Sequence, residues 1–249
     1  MFSIQSLILT LVALQTFQTQ PSHAIRGGEQ SDITKEPWTV SVLVNGILCG
    51  GSILTVNFIL TAAQCVHEMP IDKIMVRYGS NDYLTGGHEI GVQKVFVFDR
   101  YRPQTGENNI AILETKEPMM LDLIKCGPIE LPSIEFTPKP GTDVLVSGWG
   151  AVLEESQEYS RNLMAANFTV VDKETCEKEY GSVLGWGEFC AGSDKISLES
   201  GDAGDPAVQN KTLVGVGSFK PLKTENTLPS VFTSVGSFVE WIKDIIGRN

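Results

Sequence analysis

Short apolar runs recur along this chain, separated by Gly, Pro, Asn and Asp, and they restrict its fold more than any other feature. Val40, Val42 and Val44 alternate into Asn45-Gly46, and Ile47-Leu48-Cys49 return. Asn-Gly between two β-rich runs is a hairpin signal with a mechanism, because both turn positions need positive φ. Similar runs occur at Ser52 to Leu54, Ile74 to Tyr78, Val92 to Phe98, Ile110 to Leu113, Val144 to Ser147, Met164 to Val171, Leu213 to Val216 and Val231 to Thr233. Their length and punctuation predict an all-β sandwich or barrel rather than a βαβ sheet. The exception is the end, where Val235, Phe238, Trp241, Ile242, Ile245 and Ile246 recur at three- and four-residue spacing behind Ser234 and Ser237 as caps, predicting one amphipathic helix. Pro132 to Gly141 is Pro-rich and falls near the midpoint. It predicts a crossover between two barrels, with residues 25–132 in the first and 133–249 in the second.

Composition narrows the compartment and the partners. Of 249 residues, 42% are hydrophobic and 20% charged, ordinary for a chain that folds unaided. The one long apolar stretch near the start, Leu7 to Leu14, is too short to span a bilayer. With Ser22 and Ala24 at the small-residue positions behind it, residues 1–24 read as a secretory signal, although this stretch contains no Lys or Arg. Cleavage after Ala24 would start the chain at Ile25; cleavage near Thr19 or Gln20 would leave a short tail. The net charge of −11 is unchanged by either cut and argues against nucleic acid and against anionic membrane as partners. Five cysteines in a secreted chain suggest disulfides with one thiol left over, and Asn167 and Asn210 begin sequons that can carry glycans. Three scattered histidines give no metal-ligand pattern, so no metal and no cofactor are expected.

The stretch Ser197-Leu-Glu-Ser-Gly-Asp-Ala-Gly-Asp-Pro206 carries the functional signal. With Ile25-Arg26-Gly27-Gly28, Cys49-Gly50-Gly51-Ser52, Ser147-Gly148-Trp149-Gly150 and Val231-Phe232-Thr233 to Trp241-Ile242, it resembles the chymotrypsin-like serine proteases over essentially the whole chain after residue 24. Within that family the pattern is similar to the mite group 3 trypsin-like proteins and to the scabies mite inactivated protease paralogues. The resemblance implies two six-stranded antiparallel β-barrels with a C-terminal helix, in a monomer.

The same resemblance places the catalytic triad at Gln64, Asn109 and Ala203, where the family has histidine, aspartate and serine. A methyl group cannot attack a carbonyl, and neither amide can take a proton near neutral pH. Losing nucleophile or base alone costs about 10⁶ in turnover in a serine protease, so no measurable proteolysis is expected. The oxyanion-hole remnant falls at Gly201 and Ala203, with Asp205 in place of a glycine adding a carboxylate near the developing oxyanion. The former specificity pocket falls at Ser197, Leu198, Ser218, Phe219, Lys220 and Ser230; Lys220 and Ser230 replace glycines and predict a blocked slot. Glu199, in place of the pocket's bracing cysteine, lies within reach of Lys220. Ile25 and Asp202 correspond to the ion pair that orders the nucleophile loop. The family's bridges imply Cys49 with Cys65 and Cys176 with Cys190, leaving Cys126 without an obvious mate.

The resemblance and the replaced triad together imply a secreted, proteolytically inactive homologue that acts by binding proteins, with host serum components such as complement as the implied partners. Two alternatives stand beside it. One is a residual or unconventional serine hydrolase, for which Ser200 on the same loop is a nucleophile without an obvious base, His67 and His88 having surface or packing roles by default. The other is a decoy that takes protease inhibitors or substrates in the old cleft, which a blocked slot disfavours.

Overall fold

The computed structural model describes residues 25–151, 158–180, 184–193, 195–219 and 229–248. Six antiparallel strands close the first barrel: β2 (Thr39–Val44), β3 (Ile47–Ile53), β4 (Phe58–Thr61), β5 (Ile74–Tyr78), β6 (His88–Val97) and β7 (Ala111–Thr115), in the order β2-β3-β4-β7-β6-β5. Asn45 and Gly46 turn β2 into β3 with φ of 51° and 85°, the left-handed pair that the Asn-Gly signal requires. In β5 the burial alternates with period two, so Ile74, Val76 and Tyr78 face the barrel core beside Val40, Val42 and Ile112.

The second barrel uses the six expected strands, β8 (Asp143–Gly148), β9 (Met164–Thr169), β10 (Glu188–Ala191), β11 (Pro206–Gln209), β12 (Thr212–Phe219) and β13 (Ser230–Ser234). It is a seven-stranded sheet of order β1-β9-β8-β11-β12-β13-β10, to which β1 (Glu29–Gln30) adds an edge strand. Residues Met164 and Ala165 of β9 pair with β1, while a single bridge between Val170 and Ala191 draws the far end of β9 to β10. Closure is therefore incomplete because one edge of β9 is divided between two partners.

The ends of the chain exchange places. Ile25 is buried in the second barrel's core with Val144, Val146, Phe168 and Phe232, and Arg26 forms a bridge to Ser197. At the other end, α3 (Val239–Gly247) packs Ile242 and Ile245, with Phe238 before it, into the cluster that fills the first barrel. A 3-10 turn over Val235–Phe238 precedes α3, and neither serine caps it as expected: Phe238 takes the N-cap position, and the Ser234 hydroxyl donates to the Phe136 carbonyl instead. Two further helices, α1 (Ala63–Val66) and α2 (Lys173–Tyr180), lie outside the sequence expectation of one helix. The sequence of α2, Lys-Glu-Thr-Cys-Glu-Lys-Glu-Tyr, lacks an apolar period; its first turn is held by Asp172 accepting the Thr175 N–H, and ion pairs join Lys173 to Glu177 and Glu174 to Lys178.

The seam between the barrels is polar as well as apolar. Thr39 Oγ1 and Ser147 Oγ lie 2.7 Å apart across it, and Trp149 Nε1 donates to the Asn81 carbonyl while its ring packs with Ile33, Leu48 and Leu163. Disulfides join Cys49 to Cys65 and Cys176 to Cys190, and Cys126 is buried and unpaired. Peptide mapping without reductant should yield these two cross-linked pairs, with Cys126 alkylated only after unfolding. Replacing both Cys49 and Cys65 by Ala should cost about 3 kcal/mol in urea unfolding, the entropy of a loop of this length.

Candidate functional site

The Cys49–Cys65 bridge fixes α1, which comes directly after β4 and carries Gln64 at the surface. Asn108, at φ 56°, turns the chain so that Asn109 enters the interior just ahead of β7. Asn109 is fully buried, and its amide is fully used. Nδ2 donates to Gln64 Oε1 at 2.7 Å and to Ser218 Oγ at 2.8 Å, while Oδ1 accepts the Gln64 backbone N–H at 2.9 Å. These partners assign the amide orientation. The Asn109 carbonyl in turn accepts the Thr233 hydroxyl at 3.1 Å. A buried carboxylate at this position would need a cation beside it; a neutral amide facing a neutral amide uses both Asn109 amide groups without one. The network holds its members in place and offers no group that takes a proton near neutral pH.

Ala203 lies in the loop between β10 and β11, half-buried against the first barrel's core, and its carbonyl accepts the Gly50 N–H at 2.8 Å. Gly204, at φ 93°, donates to the Gly217 carbonyl at 2.8 Å, and a Cβ there would overlap the Gly50 carbonyl, so only glycine fits. Gly201, at φ 98°, is roofed by the Tyr159 ring. The loop thus sits between the barrels with a methyl group at its tip.

Asp202 and Asp205 are both fully buried. Asp202 accepts the Gly150 N–H at 2.8 Å and the Glu199 N–H at 2.7 Å; burial nevertheless pushes it above the usual carboxylate range. Asp205 corrects the sequence expectation. Its carboxyl does not face solvent near the oxyanion position but lies against Gly50 and Gly148, where a Cβ on either glycine would overlap it. Burial and the neighbouring Asp202 charge hold it well above the usual carboxylate range.

Of the former pocket residues, Ser197, Leu198, Ser218 and Ser230 are buried together. Ser230 Oγ accepts the Leu198 N–H at 2.8 Å, tying one wall to the other, and Ser197 Oγ donates to Glu199 Oε1 at 3.1 Å. Phe219 packs edge-on to Tyr180 and closes on Gly106. Lys220 lies outside the described residues, and so does its expected reach to Glu199. His67 meets the Tyr101 ring edge-on and His88 stacks on Tyr78, so both have packing roles. Asn167 and Asn210 are exposed, on β9 and in the β11–β12 turn. Among the described residues no group of three His, Cys, Asp or Glu could hold a metal, and no helix is long and apolar enough to cross a membrane.

Sequence reasoning missed a surface groove. Phe98, Tyr101, Trp186, Arg100, Arg102 and Glu107 line a cavity of about 550 Å³ beside the loop that carries Asn109. Trp186 is 68% exposed, its ring edge-on to Phe238, which is itself edge-on to Phe98. Arg102 pairs with Glu107 at 3.1 Å. Below them Glu188 accepts the Gly185 N–H at 2.7 Å and, by burial and the nearby Glu107 charge, is pushed up to about 7. The signal was Trp186 between two glycines, a large apolar residue with no strand or helical period to bury it.

Two β-barrels meeting at a Gly-Asp-Ala-Gly loop, with a hydrogen-bonded glutamine and asparagine at the first barrel, define a trypsin-like fold. The chain belongs to the trypsin family, matching it over residues 25–242. Among solved structures it is similar to the scabies mite inactivated protease paralogue S-D1, at 49% identity and a TM-score of 0.86 over 90% of this chain and 98% of that one. It is also similar to paralogue S-I1, at 44% identity and 0.83 over 90% and 100%. Trypsin Blo t 3 of Blomia tropicalis is 30% identical over 83% of this chain and 80% of its own length, and Trypsin 5G1 of Aedes aegypti 33% over 91% and 86%.

The amide network sets an order of mutational cost. Asn109→Leu strands the Gln64 N–H and the Ser218 hydroxyl in the interior and should lower stability by about 1–3 kcal/mol. Gln64→Ala, at an exposed position, should cost less than half as much. Chemical denaturation of the two variants compares them directly, and an equal cost would show that Asn109 is not the network's centre.

Proposed function

We propose that this chain is a secreted, non-proteolytic member of the trypsin family that acts by binding proteins, with host serum defence proteins such as complement components as its targets. The observation that carries this reading is the closed Gln64–Asn109–Ser218 network next to a methyl group at Ala203, a site with neither nucleophile nor base. Kinship to the inactivated scabies mite paralogues supports it, and the leader-like residues 1–24 together with two disulfides support export. The Ser230–Leu198 bond across the former pocket speaks against a decoy that captures inhibitors there. The groove at Trp186 is the surface favoured for binding, since an exposed Trp and a half-buried Tyr beside Arg are residue types that carry protein interfaces.

Ile25 adds a reading of maturation. It is buried at φ 53°, a conformation that costs a β-branched residue energy as long as a peptide bond precedes it. A cut after Ala24 removes that bond and the constraint, and frees an amino group for Asp202. N-terminal sequencing of the secreted protein should therefore begin at Ile25; any residue retained ahead of it counts against this reading.

Incubated with a broad peptide library, the protein should show no turnover, and Ala203→Ser alone should not create any because the base is still absent. Turnover that disappears on mutating a nominated residue such as Ser200 would overturn the proposal. In serum binding assays the double variant Trp186→Ala with Arg100→Ala should lose at least tenfold in affinity for the captured partner, about 1.4 kcal/mol, whereas benzamidine-like pocket ligands should not compete.

A further inference from the structure

A buried carboxyl without donors is the feature of this molecule that its inactivity does not explain. Neither oxygen of Asp205 accepts a hydrogen bond from an N–H or hydroxyl among the described residues; its side-chain partner is the Asp202 carboxyl, and the side chain is fully buried. The elements packed against it present Gly50 from β3, Gly148 from β8 and Gly217 from β12, none of them titratable. Its own loop presents Asp202, and Glu199 acts on Asp202 from behind. Among the described residues no cation acts on Asp205. An ion there would be fully buried with no counter-charge among the described residues, whereas a protonated acid can donate its O–H to the Asp202 carboxylate and carries no charge to solvate. Asp202, holding two backbone N–H donors, is the better place for the negative charge, so the proton of the pair belongs on Asp205.

The backbone of Asp205 is part of the clamp between the barrels. Its N–H donates to the Asp202 carbonyl at 3.1 Å and its carbonyl accepts the Gly217 N–H at 2.8 Å, two residues from the Gly50 contact of Ala203. Charging the side chain therefore acts directly on the hydrogen bonds that seat the loop. We propose that Asp205 is a proton-operated latch: neutral, it lets the loop of residues 199–205 lie between the two barrels, and ionised, it drives that loop out of the seam. The latch does not depend on the binding role proposed above. An Ile25 amino group paired with Asp202 would offset part of the Asp202 charge and so ease the ionisation of Asp205.

Linkage fixes the direction of the effect. An acid that binds its proton more tightly in the folded chain stabilises the fold fully below its unfolded value, about 4, and loses that contribution as pH rises through its folded value. Glu36, Glu188 and Asp202 are also raised by burial, so the wild-type profile mixes several groups. The difference between wild type and Asp205→Asn, which keeps the shape and cannot ionise, isolates the latch.

Urea unfolding of wild type and Asp205→Asn between pH 5 and pH 9 should diverge as pH rises. The wild-type unfolding constant should gain up to about tenfold per pH unit relative to the variant. Asp205→Gly, the residue this loop carries in the family, should behave like Asp205→Asn. Hydrogen exchange at the Gly50 and Gly204 amides should accelerate with pH in the wild type beyond the intrinsic rate and not in Asp205→Asn. Parallel profiles for wild type and variant overturn the proposal. Should neither variant fold, infrared spectroscopy of the wild type decides: a buried protonated carboxyl band whose loss tracks Gly50 exchange upholds the latch, and absence of that band at pH 6 refutes it.

Discussion

The hydrogen bond from Gly50 N–H to the Ala203 carbonyl joins the strand at the heart of the first barrel to the loop that emerges from the second. Thr61 donates to the Gly50 carbonyl at 2.7 Å, and Gly204 and Asp205 exchange bonds with Gly217 on the far side. Residues on both barrels are thus positioned by one short stretch of backbone. None of these contacts uses the side chain at position 203. The loop keeps its seat between the barrels with alanine there.

The replacements at positions 64 and 109 are matched chemically. A lone aspartate at 109 would leave a buried charge facing a glutamine amide, and a lone histidine at 64 would lose the carboxylate that orients it. Gln64 and Asn109 instead exchange two hydrogen bonds, and Ser218 takes the remaining donor. Stability here derives from satisfied polar groups rather than from catalytic readiness.

Much of the fold was legible in the chain. The Asn45-Gly46 turn, the alternation in β5 and the three- and four-residue spacing of α3 are local patterns, and the structure realises each of them. The addition of β1 to the second sheet was not legible, because Glu29-Gln30 carries no β signal and its partner lies far along the chain. Helix α2 escaped notice for a related reason, being held by charges and a cap rather than by an apolar face. At the site, the sequence named Gln64, Asn109 and Ala203 but not their hydrogen bonds, and it gave no sign that Asp205 is buried. Direction of burial at a single polar residue is set by neighbours such as Gly50 and Gly148, which sequence order does not bring together.

The exchange of chain ends bears on synthesis. Phe238, Ile242 and Ile245 belong to the same apolar cluster as Val40, Val76 and Ile112, yet they are made after every strand of both barrels. A ribosome that has finished residues 25–132 has therefore released a barrel whose apolar surface is not yet covered. The first barrel to be translated cannot be the first to be completed, and the nascent chain must stay soluble until α3 emerges and docks.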